Sequence, residues 1–304
     1  MWLNVLKLIR WPNLVIVFIT QWIVWSRLIN ASLHPFDLSS RLSFLYLVLL
    51  SLSTVLVAAA GYIINDIYDV NIDLINKPTK VLVSKVMSIH QCYFFYYLFL
   101  CFGFALALYL GFVFQELEFT LLFPLIAAFL HLYARFLKKT PLIGNIIISL
   151  FVAAVPFIPF LADANLVIEY ANPRVIQLLL LYGGLAFLAN LARELVKDMQ
   201  DIQGDKAYGA KTFPVRYGLQ RSKQLLYLIL FLLFIILISW TFIKDISFQT
   251  YSSILLGTIP LLIVCTALIL TLPSLKKASD FGKWSLGIKV FMLFGLVFLY
   301  LQTL

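Results

Sequence analysis

Nine long apolar stretches dominate this 304-residue chain and leave it few folds to adopt. Each is close to the roughly 20 residues that an α-helix needs to cross the hydrocarbon core of a bilayer. Hydrophobic residues make up 62% of the chain and charged residues only 12%, whereas soluble domains average about 25% charged residues. We therefore predict an all-α polytopic membrane protein, a bundle of nine transmembrane helices at residues 12–29, 42–64, 91–113, 119–136, 142–162, 175–193, 224–243, 251–272 and 285–303.

The basic residues predict how the bundle is oriented. If nine spans alternate in direction, 18 of the 23 Lys and Arg residues fall on the side of the N-terminus, and Lys289 falls inside the last span. The other four lie on the opposite side: Arg27, Arg41, Arg174 and Lys244. Because Lys and Arg concentrate in cytoplasmic loops, the N-terminus is predicted to be cytoplasmic. This distribution also explains the net charge of +9 without a nucleic-acid partner.

One acidic pattern, D-x-x-D-x-x-x-D, occurs twice in the chain, and the copies are 132 positions apart. They hold six of only 14 acidic residues, and each lies at the predicted cytoplasmic end of an apolar stretch. We interpret the chain as a single domain over 1–304 with two pseudo-repeats, whose motifs lie at 65–73 and 198–205. The carboxylates are Asp66, Asp69 and Asp73 in the first copy and Asp198, Asp201 and Asp205 in the second.

The spacing of these carboxylates predicts a metal site. On a helix, positions i, i+3 and i+7 share one face, so each copy forms a stripe of like charges. Such charges repel one another unless a cation lies between them. Oxygen-only ligands favour Mg²⁺ over zinc or copper. The predicted metal ligands are Asn65 and the six aspartates, and two Mg²⁺ ions are expected.

Basic residues follow each acidic cluster and lie in a third predicted cytoplasmic loop. Metal-bridged carboxylates beside Lys and Arg form a receptor for a polyanion such as a diphosphate. The apolar bundle below suits a long hydrocarbon tail, and the two parts together indicate an isoprenyl diphosphate. The predicted substrate-binding residues are Asn65, Lys77, Lys80, Tyr133, Lys138, Asn145, Lys206, Lys211 and Arg216.

Ion transport is the competing interpretation, because acidic residues within membranes and internal duplications are both common in transporters. However, all six motif aspartates fall on one predicted side rather than near the midplane. Four glycines are more simply explained by close helix packing than by chemistry: Gly103, Gly111, Gly183 and Gly184.

The segment Asn65–Asp73 resembles the first signature of the UbiA superfamily of intramembrane prenyltransferases, N-D-x-x-D-x-x-x-D, and the second motif falls at Asp198–Asp205. The resemblance covers essentially the whole chain. It implies a helical bundle with its active site under a cap of cytoplasmic loops, and Mg²⁺-dependent transfer of a prenyl group to a lipophilic acceptor. It also implies an integral protein in contact with membrane lipid, here expected in the plasma (inner) membrane of a prokaryote.

The stretch at 197–218 is similar to the second motif of the digeranylgeranylglyceryl phosphate synthases within that superfamily. This similarity implies geranylgeranyl diphosphate as donor and geranylgeranylglyceryl phosphate as acceptor. An aromatic acceptor of quinone biosynthesis, 4-hydroxybenzoate or dihydroxynaphthoate, is the alternative. One departure follows the first motif, where many relatives have arginine and this chain has Lys80, which keeps the charge without the bidentate geometry.

Overall fold

The computed structural model describes residues 2–171, 173–242 and 248–303, without the side chains of 117–119 and 248–250. Lys244, which the sequence assigns to the outer side, lies outside the described residues. The described backbone is almost entirely α-helical. In chain order the first helices are α1 Trp2–Leu8, α2 Trp11–Ile23, α3 Ala31–Leu33, α4 Phe44–Asn76, α5 Ile89–Phe114 and α6 Leu117–Arg135. They are followed by α7 Ile143–Ala154, α8 Phe157–Ala162, α9 Ala164–Tyr170, α10 Pro173–Ala207, α11 Phe213–Thr241, α12 Phe248–Thr271 and α13 Ala278–Leu301.

These helices confirm the predicted all-α membrane architecture. Seven helical stretches of the described residues are long and apolar enough to cross a membrane. The first of them joins α2 to α3 and a short 3₁₀ turn through a π-helical segment, Val24–Asn30. The two other predicted spans contain shorter apolar helices, at 120–135 and 143–154. The count of nine spans therefore stays a prediction.

The prediction of one continuous helix over 142–162 is wrong, because the helix is interrupted between α7 and α8. Pro156 lies at the break and Pro159 lies within α8. Proline has no N–H to donate, and its ring clashes with the carbonyl group four residues earlier, so it interrupts a helix. The 12 residues of α7 reach only about 18 Å, less than the hydrocarbon core requires.

The chain divides into two compact units, each of which carries one acidic motif. Unit 1 comprises Met1–Lys138 and Phe157–Ala171, and unit 2 comprises Lys139–Pro156 and Asn172–Leu304. In unit 1, α4 packs against α2, α5 and α6. In unit 2, α10 packs against α7, α11 and α13. The break between α7 and α8 thus separates a helix of unit 2 from one of unit 1.

The two motif helices are longer than their apolar stretches. Helix α4 has 33 residues and α10 has 35, which gives each about 50 Å against a core of roughly 30 Å. The predicted apolar stretches end at residues 64 and 193, so the motifs occupy the last turns of both helices. These turns extend each helix beyond its apolar part.

Close helix packing involves two of the four predicted glycines. A Cβ added at Gly111 would lie 2.1 Å from Thr120 Oγ1, and one at Gly103 would lie 3.1 Å from a methyl group of Val57. The prediction is wrong for Gly184, because a Cβ there would meet no atom within 4 Å. For Gly183 it stays a prediction. The glycines of α5 therefore allow close approach to α4 and α6.

Candidate active site

The first acidic cluster lies on the last three turns of α4 in unit 1. The side-chain amide of Asn65 donates to Asp69 Oδ2 at 2.8 Å, one helical turn away. The ammonium group of Lys138 forms an ion pair with Asp69 Oδ1 and lies 3.4 Å from Asn65 Oδ1. The side chain of Lys138 is only 11% exposed, so this pair is largely shielded from water. Two predicted metal ligands and one predicted substrate-binding lysine are thereby in direct contact.

Arg10 also belongs to this cluster, although its place in the sequence indicates only membrane orientation. Its guanidinium donates to Asp66 Oδ1 at 2.6 Å and lies over the ring of Tyr62, 4.8 Å from the centroid. Arg10 occupies the turn between α1 and α2 with a positive φ of 54°. A basic residue before an apolar stretch is common in membrane proteins, so the sequence alone gave no signal of this contact.

The other predicted residues of unit 1 lie near the end of α4 or on α6. The backbone oxygen of Asp73 accepts from Lys77 N at 2.8 Å, where the helix ends before Pro78. Asp73 and Lys77 are half-buried, and Lys80 is exposed. Tyr133 lies in the last turn of α6 and is also half-buried.

The second acidic cluster lies on the last turns of α10 in unit 2, where Asn145 of α7 contacts it. Asn145 Nδ2 donates to Asp198 Oδ2 at 2.8 Å, and Asn145 is only 4% exposed. The hydroxyl of Ser149 donates to the backbone oxygen of Asn145 and accepts from Asn190 Nδ2. Asn145 thus orients a motif carboxylate, and its role in substrate binding stays a prediction.

Asp205 is held by the loop that follows α10. Thr212 Oγ1 donates to Asp205 Oδ2 at 3.0 Å, and both residues are buried. The loop turns at Gly209, whose φ of 68° favours glycine, and Thr212 then precedes α11. Thr212 could not be recognised from sequence, because its contact with Asp205 depends on how the loop folds back.

Exposed cations surround this loop in unit 2. The backbone N–H of Lys211 donates to the backbone oxygen of Lys139 at 2.8 Å, which joins two loops predicted to be cytoplasmic. Lys139, Lys206, Lys211 and Arg216 are exposed, whereas Asp201 is half-buried. The side chains of these cations are therefore accessible to a soluble anionic group.

A buried acid that is absent from the predicted set lies one turn before the second motif. Glu194 is 8% exposed and forms ion pairs with Lys197, at 2.8 Å, and with Arg193, at 3.2 Å. Because Arg193 and Lys197 also belong to α10, these two ion pairs compensate the charge of Glu194 within its own helix. We therefore assign it a structural role on α10.

The donor set of the two motifs fits Mg²⁺. Among the described side chains, no three His, Cys, Asp or Glu residues gather as a metal site. The motif positions instead offer carboxylate and amide oxygens along one helix face. Mg²⁺ is commonly held by one or two carboxylates together with water and phosphate oxygens rather than by an all-protein cage. Each motif could thus supply part of a coordination shell and leave the rest to a ligand.

Comparison with known proteins decides the family. The model of the UbiA prenyltransferase family matches residues 14–296. The chain belongs to this family. In this UbiA protein the matched region includes both acidic motifs and every predicted site residue, whereas Arg10 precedes it.

Relatives of this UbiA protein include proteins described as digeranylgeranylglyceryl phosphate synthases. The one from Korarchaeum cryptofilum is 36% identical over 183 residues, which span 60% of this chain and 60% of the relative. A solved structure concerned with digeranylgeranylglyceryl phosphate synthase in membranes aligns with a TM-score of 0.64 at 26% identity, over 99% of this chain and 97% of that one.

A more distant solved structure shares the fold. It is a UbiA homologue from Archaeoglobus fulgidus bound to GPP and Mg²⁺, with a TM-score of 0.57 at 16% identity. The alignment covers 97% of this chain and 99% of that one. The UbiA fold therefore extends over nearly the whole sequence.

Proposed function

We propose that this protein transfers the geranylgeranyl group of geranylgeranyl diphosphate to geranylgeranylglyceryl phosphate, with Mg²⁺ as cofactor. The observation that carries the proposal is the contact of Asp69 with both Asn65 and the shielded Lys138 at the end of an apolar helix. Carboxylates for a metal and a cation for phosphate thus lie at the end of a helix that is apolar enough to cross a membrane. The bound GPP and Mg²⁺ of the Archaeoglobus homologue support the same ligand class.

Both acidic motifs contribute to the proposed reaction. Two Mg²⁺ ions, bound with help from the motif aspartates, would neutralise the diphosphate as the allylic C–O bond breaks. Asn145 fixes the position of Asp198, and Thr212 fixes that of Asp205. Hydrogen-bonded partners of this kind orient metal ligands and are often nearly as important as the ligands themselves.

The protein's cations have the complementary task of binding negative charge. Lys138 and Arg10, already beside the first motif, are placed to donate to diphosphate oxygens. Lys77, Lys80, Lys206, Lys211 and Arg216 would form the basic part of the cap. An allylic cation reacts readily with water, so the apolar surroundings and the cap must exclude water until the acceptor hydroxyl attacks C1 of the prenyl group.

The relatives described as digeranylgeranylglyceryl phosphate synthases support the acceptor assignment. The positive charge around the loop between α10 and α11 supports it as well. A glycerol phosphate acceptor carries a phosphate of its own and therefore needs cations in addition to those that bind the diphosphate. Lys211 and Arg216 are exposed on either side of Thr212, which contacts Asp205. An aromatic acceptor such as 4-hydroxybenzoate would need one cation and an aromatic slot.

The proposal includes the membrane setting. The excess of Lys and Arg on one side supports a cytoplasmic N-terminus and a cytoplasmic cap, in the plasma membrane of a prokaryote. The two motif-bearing units would act as pseudo-repeats of one catalytic domain. Cysteine accessibility to an impermeant reagent, measured for single cysteines placed at Lys80 and Arg41, tests this orientation.

The decisive experiment offers the purified protein geranylgeranyl diphosphate with each acceptor in turn, followed by mass spectrometry of the products. The expected product is digeranylgeranylglyceryl phosphate. Transfer only to 4-hydroxybenzoate or dihydroxynaphthoate would reject the lipid acceptor and retain prenyl transfer. No transfer to any acceptor would reject the proposed reaction.

A further inference from the structure

Two carboxylates of the first motif are paired with cations from distant parts of unit 1. Arg10 reaches Asp66 across 56 positions of sequence, and Lys138 reaches Asp69 across 69. Asp66 and Asp69 are 20% and 18% exposed, so both ion pairs are only partly accessible to water. The positive and negative charges of these four side chains cancel.

Two cations and one amide group hold three of the four carboxylate oxygens that Asp66 and Asp69 could offer to a metal ion. Arg10 binds Asp66 Oδ1, Lys138 binds Asp69 Oδ1, and Asn65 occupies Asp69 Oδ2. An Mg²⁺ ion that arrived alone would displace a guanidinium or an ammonium group and leave that cation beside a divalent ion. An uncompensated charge at the shielded Lys138 is strongly unfavourable, and Mg²⁺ also loses its own water reluctantly.

A diphosphate removes this obstacle, because its oxygens accept from the displaced cations and also coordinate the metal. We propose that Arg10 and Lys138 are exchangeable counter-ions, which leave Asp66 and Asp69 and donate to the diphosphate when Mg²⁺ and the diphosphate bind together. This inference rests on the proposed function and adds a binding mechanism to it. Arg10, which precedes the region matched by the family model, becomes a substrate-binding residue.

The local structure around both cations permits the exchange. Arg10 lies in a short turn between two helices, and its side chain is 36% exposed. Lys138 lies in a 3₁₀ turn, Leu137–Lys139, rather than within a long helix. Both side chains are long, with several rotatable bonds, so each can change partner by rotamer changes without unfolding a helix.

The mechanism predicts that metal and diphosphate bind cooperatively, since each lowers the cost of binding the other. The test is titration calorimetry on the full chain in detergent, with Mg²⁺ alone, inorganic pyrophosphate alone, and both. The wild-type protein should bind Mg²⁺ at least about tenfold more tightly when pyrophosphate is present. Lys138→Gln and Arg10→Gln should each bind Mg²⁺ alone about tenfold more tightly than wild type, the scale expected when a nearby unit charge is removed.

The same variants should bind pyrophosphate with Mg²⁺ about tenfold more weakly, because a phosphate contact is lost. These opposite changes distinguish counter-ion exchange from a merely structural role, in which both affinities would fall. Lys138→Arg, which keeps the charge, should restore both affinities toward wild type. Lys85→Gln is the matched control, because Lys85 is an exposed lysine of unit 1 whose ammonium group donates to the Pro78 backbone oxygen, and it should change neither affinity.

The inference is overturned if Lys138→Gln and Arg10→Gln both bind Mg²⁺ alone no more tightly than wild type. That result would leave the proposed function standing as long as Mg²⁺-dependent pyrophosphate binding persists. Absence of that binding in the wild-type protein would overturn both. Thermal unfolding of each variant identifies any that fails to fold, and the other variant then decides the question.

Discussion

The side-chain amide of Asn145 donates a hydrogen bond of 2.8 Å to Asp198, although the two residues are 53 positions apart. This contact fixes one carboxylate oxygen of the second motif from a neighbouring helix. It also explains why a buried amide lies at the start of α7, an otherwise apolar helix.

Asn145→Ala should therefore reduce kcat/KM for prenyl transfer by about 10- to 100-fold, the usual effect of removing a residue that orients a metal ligand. The apparent affinity for Mg²⁺ should fall as well. Steady-state kinetics at several Mg²⁺ concentrations measures both quantities. Gln302→Ala is the control, because Gln302 is also a buried amide but binds Trp240 and the Ser253 oxygen instead. An Asn145→Ala enzyme with wild-type kinetics would show that this contact does not matter.

The contact between Thr212 and Asp205 leads to a second prediction. Thr212→Val preserves the shape of the side chain but removes the hydroxyl donor, so Asp205 loses an oriented partner. We expect about a tenfold or greater loss of kcat/KM, whereas Thr212→Ser should stay close to wild type. If the valine and serine variants behave alike, the hydroxyl group has no part in catalysis.

The exposed cations of unit 2 provide a third prediction. Lys211→Ala and Arg216→Ala should each lower catalytic efficiency by about 10- to 150-fold, the equivalent of roughly 1.5–3 kcal/mol for a charge-assisted hydrogen bond. If these residues bind the acceptor phosphate, the loss appears mainly in KM for the acceptor. Kinetics with each substrate varied in turn separates the two sites. Near wild-type efficiency in both variants would mean that these charges serve membrane orientation alone.

Helix packing in unit 1 gives a fourth prediction, which concerns stability. Gly111→Ala should lower the free energy of unfolding by about 1–3 kcal/mol, because the added Cβ would lie 2.1 Å from Thr120 Oγ1 and 3.2 Å from the Glu116 oxygen. Gly184→Ala is the matched control, since its Cβ would meet no atom within 4 Å. Alanine there should be neutral or stabilising. Equal thermal stability of the two variants would contradict the packing argument.

The helices and their approximate limits could be predicted from sequence because long apolar stretches have few alternatives in a membrane. Each of the nine predicted stretches overlaps an observed helix. Hydropathy does not predict the break between α7 and α8, because the stretch remains apolar through Pro156 and Pro159. The extension of α4 to Asn76 was implied only indirectly, by the helical spacing of its aspartates.

The acidic motifs could be recognised from sequence, because the same short pattern occurs twice in the chain. Their partners Arg10 and Thr212 could not be recognised from sequence, because their contacts with the motifs form only in the folded chain. Arg10 lies 56 positions from Asp66 and resembles any other basic residue at a membrane boundary. Asn145 was recognised as a candidate, but its contact with Asp198 depends on how α7 packs against α10.

The central claim is that both acidic motifs support Mg²⁺-dependent prenyl transfer. The most direct test follows transfer from radiolabelled geranylgeranyl diphosphate by the purified protein in detergent, where no compartments exist for transport. We compare wild type, Asp69→Ala and Asp201→Ala, each with Mg²⁺ and with excess EDTA, after confirming that the folded yields are similar. The account predicts product only from wild type with Mg²⁺. Full activity in EDTA, or in either variant, would contradict it.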